Sequence, residues 1–331
     1  MMPLSLMKAI DATIANTGES TLANQLLTAW SHDPGSARFF RTSANAVFTF
    51  TQAGCSHILR FNYDDERRAD YIGAEIDYLQ HLSRAGVSVA RPVRSLAGRY
   101  VETMDTAQGR FHSVVFEAVS GQQFDIDDLT LDGFRQWGQT LGKLHAAAQS
   151  YLGVGRPTWQ NHLTWATENI PVSERAAHDT IAKLGTQLDA LPVTADTFGL
   201  IHFDFELDNL IWTDQGLTAI DFDDSAWYWF AADIAFALRD LFDDEVTKIS
   251  SSSEPFQAFM AGYRTERAIT SEEIEQLPLF LQLNHLIAFA QLLRTLEVVP
   301  HPEEPEWIPA LWQKIARIAQ NYRTEFIKFT Q

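Results

Sequence analysis

The chain has 331 residues, 46% of them hydrophobic, enough for one large or two ordinary domains with a packed core. Its single cysteine, Cys55, excludes an internal disulfide framework and fits a reducing compartment. A net charge of −18 argues against a nucleic-acid partner, whose phosphates call for a basic surface.

Residues 1–18 lack a signal peptide's order of basic, apolar and small-residue regions, so a cytoplasmic protein is expected. The first 35 or so residues read as helical, with Leu22, Leu26 and Leu27 at helical spacing before the Asp33-Pro34-Gly35 break. Two strands follow, Ala46 to Thr51 and Ser56 to Phe61, joined by the turn Gln52-Ala53-Gly54. Alternation puts Ser56, Ile58 and Arg60 on one face of the second strand, and His57, Leu59 and Phe61 on the other. From about Ala69 to Arg84 the apolar residues Ile72, Ile76, Leu79 and Leu82 recur at helical spacing, with Glu75 on the same inward side. A carboxylate on the buried stripe of a helix requires a partner, and Arg60 is the candidate. Gly86 closes this helix. Strands from Arg99 to Thr103 and Phe111 to Phe116 flank a turn near Gln108-Gly109.

A long helix from about Leu131 to Gln149 carries Phe134, Leu141, Leu144 and Ala148 on its core face. Gly138 and Gly142 permit close helix packing, and His145 reads as a buried, hydrogen-bonded residue rather than a catalyst. Residues 151–198 show one clear helix, from about Ser173 to Leu191. Beyond residue 200, Leu210 to Trp212 and Leu217 to Ile220 are short apolar runs on either side of Thr213-Asp214-Gln215-Gly216, the pattern of a β-hairpin. A hairpin folds its ends together, which brings the loop bearing Asp204 and Asn209 close to Asp221. Two carboxylates and an amide oxygen on adjacent loops suit a hard cation such as Mg2+, with Asn209 and Asp221 as ligands. Asp204 can then sit beside the metal without ligating it and take a proton from an alcohol, the layout of phosphoryl transfer. A helix from Ile234 to Leu241 follows, and the last third reads as three helices, from Glu254 to Thr265, Ser271 to Leu296 and Pro305 to Phe329. A Pro- and Glu-rich loop, Val299 to Pro305, separates the last two. Gln282, Asn284, His285, Gln291 and Arg294 interrupt the most apolar of these helices, so no membrane span is expected.

The pattern His202-Phe203-Asp204 with Asn209, then the hairpin into Ile220-Asp221-Phe222, resembles the aminoglycoside phosphotransferase family. Gly138-Gln139-Thr140-Leu141-Gly142-Lys143-Leu144-His145 and Asp233-Ile234-Ala235 resemble further elements of it. The family has a protein-kinase-like fold and includes kinases of choline, homoserine and other small molecules. The resemblance implies an α+β, bilobal fold. Residues 1–117 would be an antiparallel-sheet N-lobe that binds nucleotide, and residues 118–331 a mainly helical C-lobe with the catalytic loop and substrate pocket. It makes Asp204 the catalytic base, Asn209 and Asp221 the Mg2+ ligands, and Asp233 a brace for the catalytic loop. ATP's phosphates would be met by Arg60, held by Glu75, and by a loop from Arg41 to Ala46 that includes Ser43 and Asn45. Glu117 and Ala118 would be the hinge beside the adenine. Two departures stand out: Arg60 occupies the place more often taken by Lys, and the phosphate loop has no glycine.

The implied activity is transfer of the γ-phosphoryl of ATP to a hydroxyl of a small molecule, such as an amino alcohol, an aminoglycoside-like compound or a related metabolite. Candidate pocket segments are Trp227 to Phe230, the surroundings of Asn284 and His285, and Glu303 to Trp307. A nucleotide-binding module without catalysis is the alternative, motivated by the two departures. A metal-dependent hydrolase is a third reading, against which stands the missing second histidine or carboxylate pair of a two-metal site. Asp223 and Asp224 read as a solvated acidic turn, with a role at the metal or the substrate as the competing reading.

Overall fold

A computed structural model of the chain describes residues 2–242, 251–301 and 303–330; Met1, Pro302 of the Pro- and Glu-rich loop and Gln331 lie outside the described residues. The N-lobe opens with helices α1 (Leu4–Asp11) and α2 (Thr21–Leu27), not one helical segment. Gly18, at φ 80°, turns the chain between them, and the Ser20 hydroxyl accepts from the Ala23 N–H to cap the second.

A fully antiparallel sheet follows, from β1 (Arg38–Thr42), β2 (Ala46–Gln52) and β3 (Cys55–Tyr63). After α3 (Ala69–Arg84) come β4 (Pro92–Val93), β5 (Val101–Thr106) and β6 (Gly109–Glu117). The strand order is β1-β2-β3-β6-β4, with β5 also on β6. The expected strand pairs and α3 are present; β1 is an addition, whose exposed Arg38-Phe39-Phe40 start shows no alternation of burial. Alternation along β2, β3 and β6 sorts the sheet's two faces. Phe48, Phe50, Leu59, Phe61, Phe111 and Val115 are buried together against α1 and α2. Ile58, Val114 and Phe116 pack on the other side, with Ile72, Ile76 and Leu79 of α3. Each buried Phe or Leu contributes about 1.5–3 kcal/mol of transfer free energy, so this division of faces fixes the register that points Arg60 at α3.

The C-lobe contains α4 (Leu131–Ala148), α5 (Trp159–Asn169), α6 (Arg175–Asp189) and then β7 (Phe198–Ile201). The hairpin is β8 (Leu210–Thr213) with β9 (Gly216–Ala219), paired Leu210 to Ala219 and Thr213 to Gly216. Next are β10 (Ala226–Trp229) and α7 (Phe230–Ala237). The last helices are α8 (Glu254–Tyr263), α9 (Ser271–Glu275), α10 (Leu277–Thr295) and α11 (Trp307–Thr330). The expected helix from Ser271 to Leu296 is broken at Gln276, just before Pro278 in the first turn of α10.

Helices α4 and α8 approach closely because of glycine. A Cβ at Gly138 would stand 1.9 Å from the Phe259 carbonyl oxygen, and one at Gly262 1.9 Å from that of Arg135. That contact seats α4, and with it His145, against the catalytic loop. The far end of the chain returns to the N-lobe: Ile308 of α11 is buried with α1, α2 and the outer face of the sheet. No described helix is long and apolar enough to cross a membrane.

Candidate active site

The catalytic loop runs between β7 and the hairpin, and its backbone is tied from below. Asp233, fully buried near the start of α7, accepts from the N–H of His202 at 2.9 Å and of Phe203 at 2.8 Å. His145 donates to the same carboxylate through Nε2 at 3.0 Å, and its Nδ1 accepts from the Tyr263 hydroxyl at 2.9 Å. Burial lowers the His145 pKa against the pull of Asp233, so the ring is a neutral bridge and not a proton carrier. His202 reaches across to the Ile220 carbonyl at 2.9 Å, fastening the loop to the end of β9. Phe203 and Asp221 both have left-handed backbones, φ 77° and 62°, which are costly for residues with a side chain. The Asp233 bonds hold the first of these in place and turn Asp204 outward.

Asp204 is open to a cavity of about 590 Å³, with its side chain 35% exposed. Asn209 donates through Nδ2 to the Asp204 carbonyl at 2.8 Å and to its Oδ2 at 3.1 Å. With Nδ2 turned to Asp204, the Asn209 Oδ1 faces elsewhere as an acceptor. Arg239, in the single turn after α7, donates to Asp204 Oδ1 at 3.1 Å and is also bonded to Glu206. Burial and the nearby Asp204 push the Glu206 carboxyl up, to about 7, against Arg239.

On the sheet side lies a second cavity, of about 510 Å³, lined by Arg41, Arg60, Glu75, Phe116, Glu117, Ala118 and Asp221 among others. Arg60 of β3 and Glu75 of α3 form the expected pair, Nη1 to Oε1 at 2.9 Å and Nη2 to Oε2 at 2.5 Å. Both are buried, 3% and 0% exposed, so the pair is a fixed forked cation in the cleft wall. Arg60 Nη1 also donates to Asp221 Oδ1 at 3.3 Å, while Arg41 Nη2 donates to Asp221 Oδ2 at 2.6 Å. Burial first, then the like charge of Asp223, push the Asp221 carboxyl up against these two guanidinium groups. Asp223 goes the other way. Burial would raise it, but Arg67, Arg60 and Arg156 together hold it well below the usual carboxylate range.

Asp223 and Asp224 are therefore not a solvated turn. Asp223 is 6% exposed, accepts from Asn45 Nδ2 at 3.0 Å and stands 3.5 Å from Arg67, which also bonds Asp224. Arg156 clamps the backbone of this turn, donating to the carbonyls of Asp223 at 2.5 Å and Ser225 at 2.8 Å. Asn45 thus serves the Asp223 carboxylate, and Ser43 does not line the cleft. The Ser43 N–H is bonded to the Asn45 carbonyl at 3.0 Å. At the hinge, the N–H of Glu117 is taken by Arg91 O and that of Ala118 by Ser56 O. What these two residues can offer an adenine is therefore carbonyl oxygen, and the next N–H along the chain is that of Val119.

The donor set fits a hard divalent cation. The segments 204–208 and 221–224 each run from one cavity to the other, and there the Ile220 N–H donates to the Asn209 carbonyl at 3.0 Å, which sets the carboxylate of Asp221 and the amide of Asn209 side by side. No group of three or more His, Cys, Asp or Glu arranged for a metal occurs among the described residues.

The cavity beside Asp204 is lined by Asp204, Asp224, Arg239, Asp240, Asn284 and His285, with apolar walls that include Phe203 and Tyr322. Of the three expected pocket segments only the one around Asn284 and His285 contributes. The run from Trp227 to Phe230 is β10 and the start of α7; it pairs with β7, and Tyr228, Trp229 and Phe230 are buried. The segment from Glu303 to Trp307 lies at the N-lobe, where Glu304 bonds Lys8 of α1 at 2.5 Å. Arg239, Glu206, Arg156 and Arg67 went unread as site residues, because nothing in their local sequence marks them.

Known proteins share this fold. Amicoumacin kinase of Bacillus subtilis (strain 168) is 29% identical over 269 residues, covering 77% of this chain and 79% of that protein. A homoserine kinase of Sinorhizobium fredii (strain NBRC 101917 / NGR234) is 26% identical over 245 residues, 71% of each chain. Among solved structures, amicoumacin kinase hAmiN in complex with AMP-PNP, Ca2+ and Ami is 25% identical, with a TM-score of 0.77 and 96% of both chains covered. A microcompartment-associated aminopropanol kinase is 26% identical, with a TM-score of 0.70, over 93% of this chain and 97% of the other. The bilobal, protein-kinase-like architecture is thus shared along nearly the whole chain. Residues 36–273, which contain the cleft, the catalytic loop and the hairpin between them, match the model of the Phosphotransferase enzyme family, and the chain belongs to that family.

Proposed function

We propose that this protein is an ATP-dependent small-molecule kinase that moves the γ-phosphoryl of ATP to a hydroxyl group of an acceptor. The observation that carries the reading is the seam between the two cavities. Asp204 opens into one, Asp221 lines the other, and Asn209 is hydrogen-bonded to Asp204 between them. A donor in one cavity and an acceptor in the other would meet at that seam, which is the positioning that in-line phosphoryl transfer requires.

Each residue then has a task. Arg60, held by Glu75 in the cleft wall, brings a fixed positive charge to the phosphate oxygens. Asn209 and Asp221 hold Mg2+, which when bound neutralises phosphate charge. Asp204 accepts the hydroxyl proton of the acceptor and orients its oxygen. Arg239 and Asn209 each hold one oxygen of that carboxylate and so set its direction. Ser43 and Asn45 support the site indirectly, through the turn they build over Asp223. Glu117 and Ala118 lie where the adenine would rest, and mark the boundary between an N-lobe of residues 1–117 and a C-lobe of residues 118–331.

The acceptor is a small hydroxylated molecule that carries an amine. Asp204, Asp224 and Asp240 face its cavity, and the cation there, Arg239, is already committed to Asp204 and Glu206. The likeness to an aminopropanol kinase agrees with an amino alcohol. The net charge of −18 disfavours a nucleic-acid partner, and the single cysteine fits the reducing cytoplasm. The alternative of a nucleotide-binding module without catalysis finds no support among relatives that are named as kinases. ADP release measured across a panel of amino alcohols, sugars and aminoglycosides tests the proposal. Turnover of at least one amine-bearing acceptor is expected, and turnover confined to anionic or peptide acceptors would overturn the substrate class.

A further inference from the structure

The geometry points to Arg41 as a cation with two stations: it neutralises the Asp221 carboxylate in the arrangement seen here, and it transfers to the nucleotide's phosphates when a divalent cation takes that carboxylate. This rests on the kinase reading above. The sequence pattern puts Arg41 only at the start of the expected phosphate loop and gives it no role of its own.

Three observations carry the inference. First, both oxygens of Asp221 are engaged, Oδ2 by Arg41 at 2.6 Å and Oδ1 by Arg60 at 3.3 Å. A divalent cation ligated by Asp221 needs one of those oxygens at about 2 Å, and a guanidinium cannot share it at hydrogen-bond distance without strong repulsion. Second, the two arginines differ in freedom. The side chain of Arg60 is 4% exposed and held by two bonds from Glu75, whereas that of Arg41 is 40% exposed. A register shift in the β1–β2 pairing lies between Phe39 and Arg41, just before Arg41 pairs with Val47. Arg41 is thus the contact that breaks. Third, its other station is at hand. Arg41 lines the same cavity as Arg60, Phe116 and Ala118, and the Ser43 N–H that a phosphate loop would offer is bonded to Asn45 O instead. A forked side-chain cation supplies what that backbone withholds.

The two stations make opposite predictions for one variant, which a merely structural arginine would not. In Arg41→Gln, Mn2+ titrated into nucleotide-free protein and followed by electron paramagnetic resonance binds several-fold tighter, because its competitor at Asp221 is gone. In the same variant, ADP titrated calorimetrically with a chelator present binds about tenfold more weakly, the value of one charge-assisted contact. Arg41→Lys, which keeps the charge without the fork, recovers part of the ADP affinity. Circular dichroism of both variants matching wild type shows that the fold is intact. An unchanged Mn2+ affinity, or an unchanged ADP affinity, in Arg41→Gln would overturn the inference. Neither titration involves transfer, so a wild-type protein that binds both probes but phosphorylates nothing would sink the kinase reading and leave the Arg41 result to stand on its own.

Discussion

The Arg60–Glu75 pair separates the requirements of folding from those of function, and the two can be measured apart. Glu75 is fully buried and its carboxylate takes two bonds from Arg60, at 2.9 and 2.5 Å. Removing one partner of such a pair leaves a buried charge uncompensated, at a cost of about 3–5 kcal/mol. Glu75→Leu falls near the lower end, about 3 kcal/mol, because Arg60 keeps Asp221 at 3.3 Å. Arg60→Met falls nearer the upper end, about 4–5 kcal/mol, since both of these bonds to Glu75 come from that guanidinium. The double variant Arg60→Met/Glu75→Leu replaces the pair with apolar groups of similar volume and returns to within about 1 kcal/mol of wild type. Its stability loss thus falls about 6 kcal/mol or more short of the sum of the two single losses. Urea unfolding followed by circular dichroism reads these values, and calorimetric titration with Mg-ADP reads the site. The double variant should regain stability and still bind Mg-ADP at least about tenfold more weakly. Additive stability losses would refute the buried-pair reasoning. Full nucleotide affinity in the double variant would refute the role of Arg60 at the phosphates.

Asp233→Asn turns an N–H2 group toward donors at 2.8–3.0 Å; it should cost about 3 kcal/mol in urea unfolding and lower kcat at least tenfold, and a wild-type kcat would exclude the bracing of the catalytic loop. Gly138→Ala places a methyl 1.9 Å from Phe259 O; despite a helix-propensity gain of about 1 kcal/mol, a net loss of about 1–3 kcal/mol is expected, and a stabilised variant would contradict the close packing of α4 on α8. His162, whose Nδ1 lies 2.7 Å from the Tyr228 hydroxyl, is held by burial down to about 4. The folded protein then binds fewer protons than the unfolded chain, with its ordinary pKa of about 6.5, so this contribution is present above that pH and lost as pH falls toward 4. His162→Gln should flatten the stability–pH curve in that window by up to about 3 kcal/mol, and an unchanged slope would contradict the neutral, buried imidazole.

The parts of the site that could be read in the chain are those whose partners lie close in sequence or on a regular element. Asp204, Asn209 and Asp221 are joined by a short hairpin with an unmistakable turn, so their meeting follows from local rules. Arg60 and Glu75 were legible because strand alternation and helix periodicity each fix a facing direction, and two inward charges of opposite sign require each other. Arg239 reaches Asp204 only because α7 packs under the catalytic loop, and Arg156 and Arg67 reach the turn at Asp223 from different loops; no periodicity encodes such meetings. Helix α5 escaped because its apolar stripe is only Trp159, Leu163 and Ala166, and its capping box uses Asn161 where Glu or Gln is the usual signal. The aromatic run from Trp227 to Phe230 misled for a related reason. Aromatic residues serve cores and pockets alike, and the pairing of β10 with β7, which buries them, joins segments more than twenty residues apart.

Asp204 bears the reaction if the protein is a kinase of this kind, and its conservative replacement isolates that role from binding. Asp204→Asn keeps the size of the side chain and its contact with Asn209, but removes the base. With an acceptor that the wild-type protein phosphorylates, transfer of label from γ-labelled ATP should fall by about 10²–10⁴-fold, while Mg-ATP affinity stays within about twofold. Wild-type turnover by Asp204→Asn on that acceptor would contradict the assignment of Asp204 as the base and, with it, the mechanism proposed for this site.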